Sequence, residues 1–87
     1  MCMKHASHPA ITSRLKRALG HLNSIVGMIE EGRSCIDLAH QLHAVEKAVG
    51  NAKRELIHDH IEHCLEDGDQ PGTKASLKEL KQLAKYL

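Results

Sequence analysis

The chain contains no Trp and no Phe, and Tyr86 is its one aromatic residue. That absence excludes an aromatic-centred core, and with it a platform on which single-stranded bases could stack. No run of residues carries a strand signal, and no apolar run is long enough to span a membrane. The first apolar-periodic segment is interrupted by charge, so it does not read as the core of a secretory leader. Three cysteines are an odd number, and without a leader they read as reduced thiols in the cytoplasm. Acids are missing from residues 1–29, which hold Lys4, Arg14, Lys16 and Arg17. Lys and Arg are missing from residues 55–69, which hold Glu55, Asp59, Glu62, Glu66, Asp67 and Asp69. A formal charge of +1 therefore conceals two surfaces with different tasks. No oxyanion-hole loop, Gly-rich phosphate cradle or substrate cleft is visible, which argues against an enzyme and against a small-molecule substrate.

What is present is helical. The 87 residues make a single domain over 1–87, small enough that self-association is the expected source of further burial. Ile11, Leu15, Ala18, Leu22, Ile25 and Ile29 recur at alternating spacings of four and three, predicting a helix over 9–31 that opens at Pro9. Gly32 stops it. Ser34 and Asp37 form an S-x-x-D pattern that opens a second helix over 34–66. Gly68–Gly72, with Pro71, reads as a loop, and Ser76 with Glu79 as a capping box ahead of a third helix over 76–86. Residues 1–8 are left as an N-terminal arm. The expected class is all-α, with a three-helix protomer.

Eight histidines and two well-placed cysteines point to metal chemistry. His60 and Cys64 are four apart and stack on one helix face, whereas Cys35 lies twenty-five residues upstream of His60. On one continuous helix that separation is about 37 Å. At 100° per residue Cys35, Leu38, Leu42, Val45, Val49, Ala52, Leu56, His60 and Cys64 share an arc of about 120°. Two such helices packed antiparallel bring Cys35 of one chain beside His60 and Cys64 of the other, making two shared sites per dimer. The two-fold axis then falls near 48–49, where Ala48, Gly50 and Ala52 are small enough for backbones to approach. Thiolate and imidazole are soft to borderline donors, so Cu(I), Ni(II), Co(II) and Zn(II) all suit them. His58 and His63 point off the seam, and His40 and His43 flank it.

The run RLKRALGHLNSIVGMIEEGRSCIDLAHQLHAVEKAVGNAKRELIHDHIEHCLE resembles the CsoR/RcnR family of bacterial metal-sensing repressors. The similarity extends from about residue 8 to 87, and Cys-x24-His-x3-Cys matches the ligand spacing of the family's copper sensors. The opening HASHP and the phrase QLHAVEKAV look most like its nickel-resistance branch. The resemblance implies an antiparallel dimer with a four-helix-bundle core, a tetramer made of two such dimers, and operator binding by the metal-free protein that metal reverses, switching on efflux or resistance genes. It assigns the metal to Cys35, His60 and Cys64. It places Arg14 and Arg54 at DNA-contacting positions and Arg17 at a basic position of the nickel and cobalt branch. The persulfide-sensing branch lacks the histidine kept here as His60. The formaldehyde-sensing branch has an N-terminal Pro and an acid where this chain has Cys2 and Cys64.

Two sulfurs and one nitrogen suit Cu(I), while Ni(II) calls for a further donor. The family's nickel and cobalt members take one from position 3, which here is Met3; His5, His8 and Cys2 lie close by as alternatives. Arg14, Arg17 and His21 form a line on an acid-free half-helix, with Lys16 nearby and Lys53 and Arg54 as extensions. Repeated in an oligomer, that line becomes a surface for the phosphates of duplex DNA. The competing reading is a metal-binding or zinc-stabilised helical oligomer with no DNA role, which a mobility shift on promoter DNA separates from the first.

Overall fold

The computed structural model describes residues 8–66 and 74–87, with side chains at 8–62 and 77–87, and these residues form three α-helices and no strand. They are α1 (His8–Glu30), α2 (Cys35–Glu66) and α3 (Lys74–Ala84). The fold is all-α, as the apolar periodicity requires.

The joint between α1 and α2 is built from local chemistry. Gly32 has φ of 81°, a conformation that costs any residue with a Cβ. Its N–H donates to the Ile29 carbonyl at 3.1 Å, and the Arg33 N–H donates to the Met28 carbonyl at 3.0 Å. That pair of bonds is a Schellman motif, which satisfies two end carbonyls of α1. Ser34 then caps α2: its Oγ accepts the Asp37 N–H at 3.2 Å. Asp37 adds an acid in the first turn, where the helix dipole favours one.

The third helix begins two residues earlier than the capping pattern implies, at Lys74, so Ser76 lies inside it and not at its cap. It stops at Ala84 rather than 86 because the chain tightens there. Lys85, Tyr86 and Leu87 donate to the carbonyls of Gln82, Leu83 and Ala84, three residues back in each case.

Packing divides each apolar stripe in two. Ile11, Ala18 and Ile25, seven apart, are buried, with Ile25 only 2% exposed, and Ala18 and Ile25 pack with Val45. Met28 and Leu38 close this small core. The alternate members stay open: Leu15, Leu22 and Ile29 on α1, Leu42, Val49 and Leu56 on α2. Leu19 and Val26 join them. Ala48 and Ala52, expected at a two-fold axis, instead serve the α1–α2 approach. Ala52 is 2% exposed, and Ala48 lines a groove with α1 residues. A Cβ added at Gly50 would meet the Arg54 guanidinium at 3.6 Å, an ordinary contact. Val49 is the residue left open near the midpoint. The protomer measures 54 × 23 × 13 Å, so its least dimension is about one helix diameter. A slab that thin has two faces, and among the described residues no second layer covers either.

Among the described residues α3 touches α2 and not α1. Ile57, off the expected seam and three residues before His60, is buried near this end of α2.

Candidate functional site

The helical register of α1 and α2 sorts the chemistry onto opposite faces of the slab. One face holds the open apolar residues Leu15, Leu22, Ile29, Leu42, Val49 and Leu56. By register, Cys35 and His60 fall on that side of α2, near its two ends. The other face holds a groove of about 420 Å³ lined by Arg14, Arg17, Ala18, His21, Ala48 and Asn51.

Cys35 is the first residue of α2 and carries an exposed free thiol. His60 is half-buried, and its Nε2 lies 2.5 Å from Oε1 of Glu79 on α3. That contact ties the His60 ring to a carboxylate on another helix and so orients it. Cys64 occupies the last turns of α2, and its side chain is outside those described. Cys2, Met3 and His5 also lie outside the described residues. His8 is the first residue of α1 and is half-buried. Among the described residues no group of three or more His, Cys, Asp or Glu is gathered to hold a metal within one protomer. Cys35 and His60 stand at opposite ends of an unbroken 32-residue helix, so one protomer does not bring them together.

Glu79 is the site residue that sequence reasoning overlooked. It looked like the acid of a capping box, yet it borders the Leu80–Leu83 stripe of α3 and reaches His60. An acid flanking the apolar stripe of a short docking helix was the available signal.

On the groove face, the Arg14 guanidinium is ion-paired with the Glu55 carboxylate across the helices. His21 Nε2 meets Gln41 Oε1 at 2.5 Å, so this histidine faces α2 rather than open solvent. Arg54 Nη2 donates to Asn51 Oδ1 at 2.6 Å. Arg17 lines the same groove. Lys16 is exposed but two residues from Arg14, which turns it to the far side of α1 and out of the groove. The arrangement can present guanidinium groups to an extended anion along α1. No helix among the described residues is long and apolar enough to cross a membrane.

Known proteins resemble this chain in both sequence and fold. The family model described as metal-sensitive transcriptional repressor matches residues 7–86. The copper-sensing transcriptional repressor CsoR of Bacillus subtilis is 40% identical over 62 residues, covering 71% of this chain and 61% of that protein. CsoR of Mycobacterium ulcerans is 36% identical over 78 residues, covering 88% of this chain and 67% of the relative. The chain thus spans about two thirds or less of the length of these two relatives. The solved structure of the nickel-responsive transcriptional regulator InrS superposes with a TM-score of 0.80 at 27% identity, covering 100% of both chains. These relatives are named as repressors or regulators of transcription, not as enzymes.

Proposed function

We propose, because this chain belongs to the metal-sensitive transcriptional repressor family, that it holds operator DNA when metal-free and lets go on capturing Cu(I) or Ni(II) in the cytoplasm. The site is formed by Cys35 of one protomer with His60 and Cys64 of another. The observation that carries this reading is the two-faced slab. Its metal-type residues mark the ends of an uncovered apolar face, and its arginines line the opposite one.

The energetics of that apolar face support pairing in an antiparallel dimer. Leu15, Leu19, Leu22, Val26, Ile29, Leu42, Val49 and Leu56 each retain roughly half their surface. Covering the remainder is worth about 1 kcal/mol apiece, on the order of 15 kcal/mol for two protomers. That matches or exceeds the cost of association, about 4–15 kcal/mol. Pairing these faces head to tail carries Cys35 of each chain to the His60 end of the other and leaves both grooves outward. Two such dimers make the proposed tetramer.

The donor set fits a soft or borderline cation: one exposed thiol, one imidazole oriented by a carboxylate, and the sulfur of Cys64. A bound ion would tie the two α2 ends together and draw charge onto the His60 ring. A more acidic His60 N–H would donate more strongly to Glu79, which would fasten α3 to α2. Arg14, Arg17 and Arg54 ride on the same helix pair and contact phosphates from the groove face. Coupling between the sites of about 1–3 kcal/mol each suffices to clear an operator, and linkage makes it reciprocal. The copper-sensing relatives and the nickel-responsive neighbour support these two ions. Three donors serve Cu(I), and His5, His8 or Cys2 would complete a Ni(II) site.

A mobility shift with the chain's own upstream promoter duplex tests the reading. The metal-free protein should retard the duplex, stoichiometric Cu(I) or Ni(II) should release it, and Cys35→Ala should bind but ignore metal. Release of DNA by metal from the Cys35→Ala protein would remove Cys35 from the switch.

A further inference from the structure

We propose that Glu55 is an internal competitor for the phosphate contact of Arg14, and so sets how tightly the metal-free protein holds DNA. The inference rests on the DNA reading above and deepens it by naming a residue that works against binding.

The Arg14 guanidinium sits on the Glu55 carboxylate in the described state. Residues 1–29 contain no acid, so the charge that neutralises this part of the basic line comes across from α2. A guanidinium presents the same planar fork to a carboxylate as to a phosphate, so one occupant can replace the other without Arg14 changing role. Both side chains are partly open to solvent, at 52% and 35% exposure, which leaves the pair exchangeable rather than locked. Arg54, the residue before Glu55 on α2, is likewise engaged, donating to Asn51 at 2.6 Å. Among the described residues Arg17 has no such acidic partner, and it lines the groove beside Arg14. The groove's cations are therefore graded: Arg17 is ready, and Arg14 must first leave Glu55. An exposed ion pair is weak, so this arrangement tunes affinity and does not prevent binding.

The test is a double-mutant cycle on full-length, metal-free protein: wild type, E55Q, R14A and R14A/E55Q. Each is titrated by fluorescence anisotropy against the upstream promoter duplex and a scrambled duplex of equal length at one stated salt concentration, with circular dichroism as a check on helix content. E55Q should tighten promoter binding about two- to fivefold, the range an exposed pair can withhold. In the R14A background the same change should have little effect. Equal or weaker binding by E55Q overturns the proposal. So does equal tightening in both backgrounds, which would make Glu55 a general repulsive charge. If folded wild type binds neither duplex, the DNA reading itself fails and the proposal falls with it, a result distinct from the other two.

Discussion

His60 and Glu79 join the C-terminal end of α2 to α3 through a 2.5 Å contact between Nε2 and Oε1. The pair orients the ring of a proposed ligand and connects it to the third helix of the chain. Glu79→Gln keeps the shape and removes the charge. It should weaken metal binding about tenfold, within the range for losing a partner of a ligating imidazole, while metal-free operator affinity changes less than twofold. Competition titration with a chromophoric chelator measures the first, and anisotropy the second. Unchanged metal affinity would mean that the contact does not orient His60 as a ligand.

Val49 lies open near the middle of the apolar face, 42% exposed in the protomer. Val49→Glu should place a charge where a second copy is expected to pack. Sedimentation velocity at micromolar concentration should then show protomers in place of dimers or tetramers, and stoichiometric metal binding should be lost with them. An unchanged sedimentation coefficient would show that something other than a second copy covers this face.

Ile25 and Gly32 test the protomer itself. Ile25→Ala opens a cavity in the contact with Val45 and should cost about 2–4 kcal/mol in urea unfolding at fixed protein concentration. Gly32→Ala forces a Cβ into a left-handed turn and should cost about 1 kcal/mol. If Gly32→Ala were neutral, the Schellman joint would not be what sets the α1–α2 angle.

Arg17 and Lys16 are neighbours in sequence on different sides of α1. Arg17→Ala should weaken DNA binding and lower the salt slope of log K by about 1, the signature of one lost phosphate contact. Lys16→Ala should leave both nearly unchanged. Equal losses would mean that DNA wraps past the groove and around α1.

The three helices were legible because their signals are local: a seven-residue apolar repeat, a glycine stop at Gly32 and a serine cap at Ser34. The division of that repeat was not. Leu38, Val45 and Ala52 share an arc with Leu42, Val49 and Leu56, and only the position of α1 decides which set it covers. The same tertiary choice placed Ala48 against α1 rather than at an axis. Cys35, His60 and Cys64 stood out by residue type and spacing, whereas Glu79 read as a capping-box acid and Glu55 as one acid of a charged run. Each acquires its role from a contact made by a different helix, which spacing along one helix does not encode.

Sharing of the metal site between protomers is tested most directly by mixing variants that are each incomplete. Cys35→Ala keeps His60 and Cys64, and the His60→Ala/Cys64→Ala double variant keeps Cys35, so homodimers of either lack a full donor set. Mixed dimers, isolated through two different affinity tags, should regain one tight metal per dimer. Mixed dimers that bind no better than the separate variants would contradict a site built across the two chains.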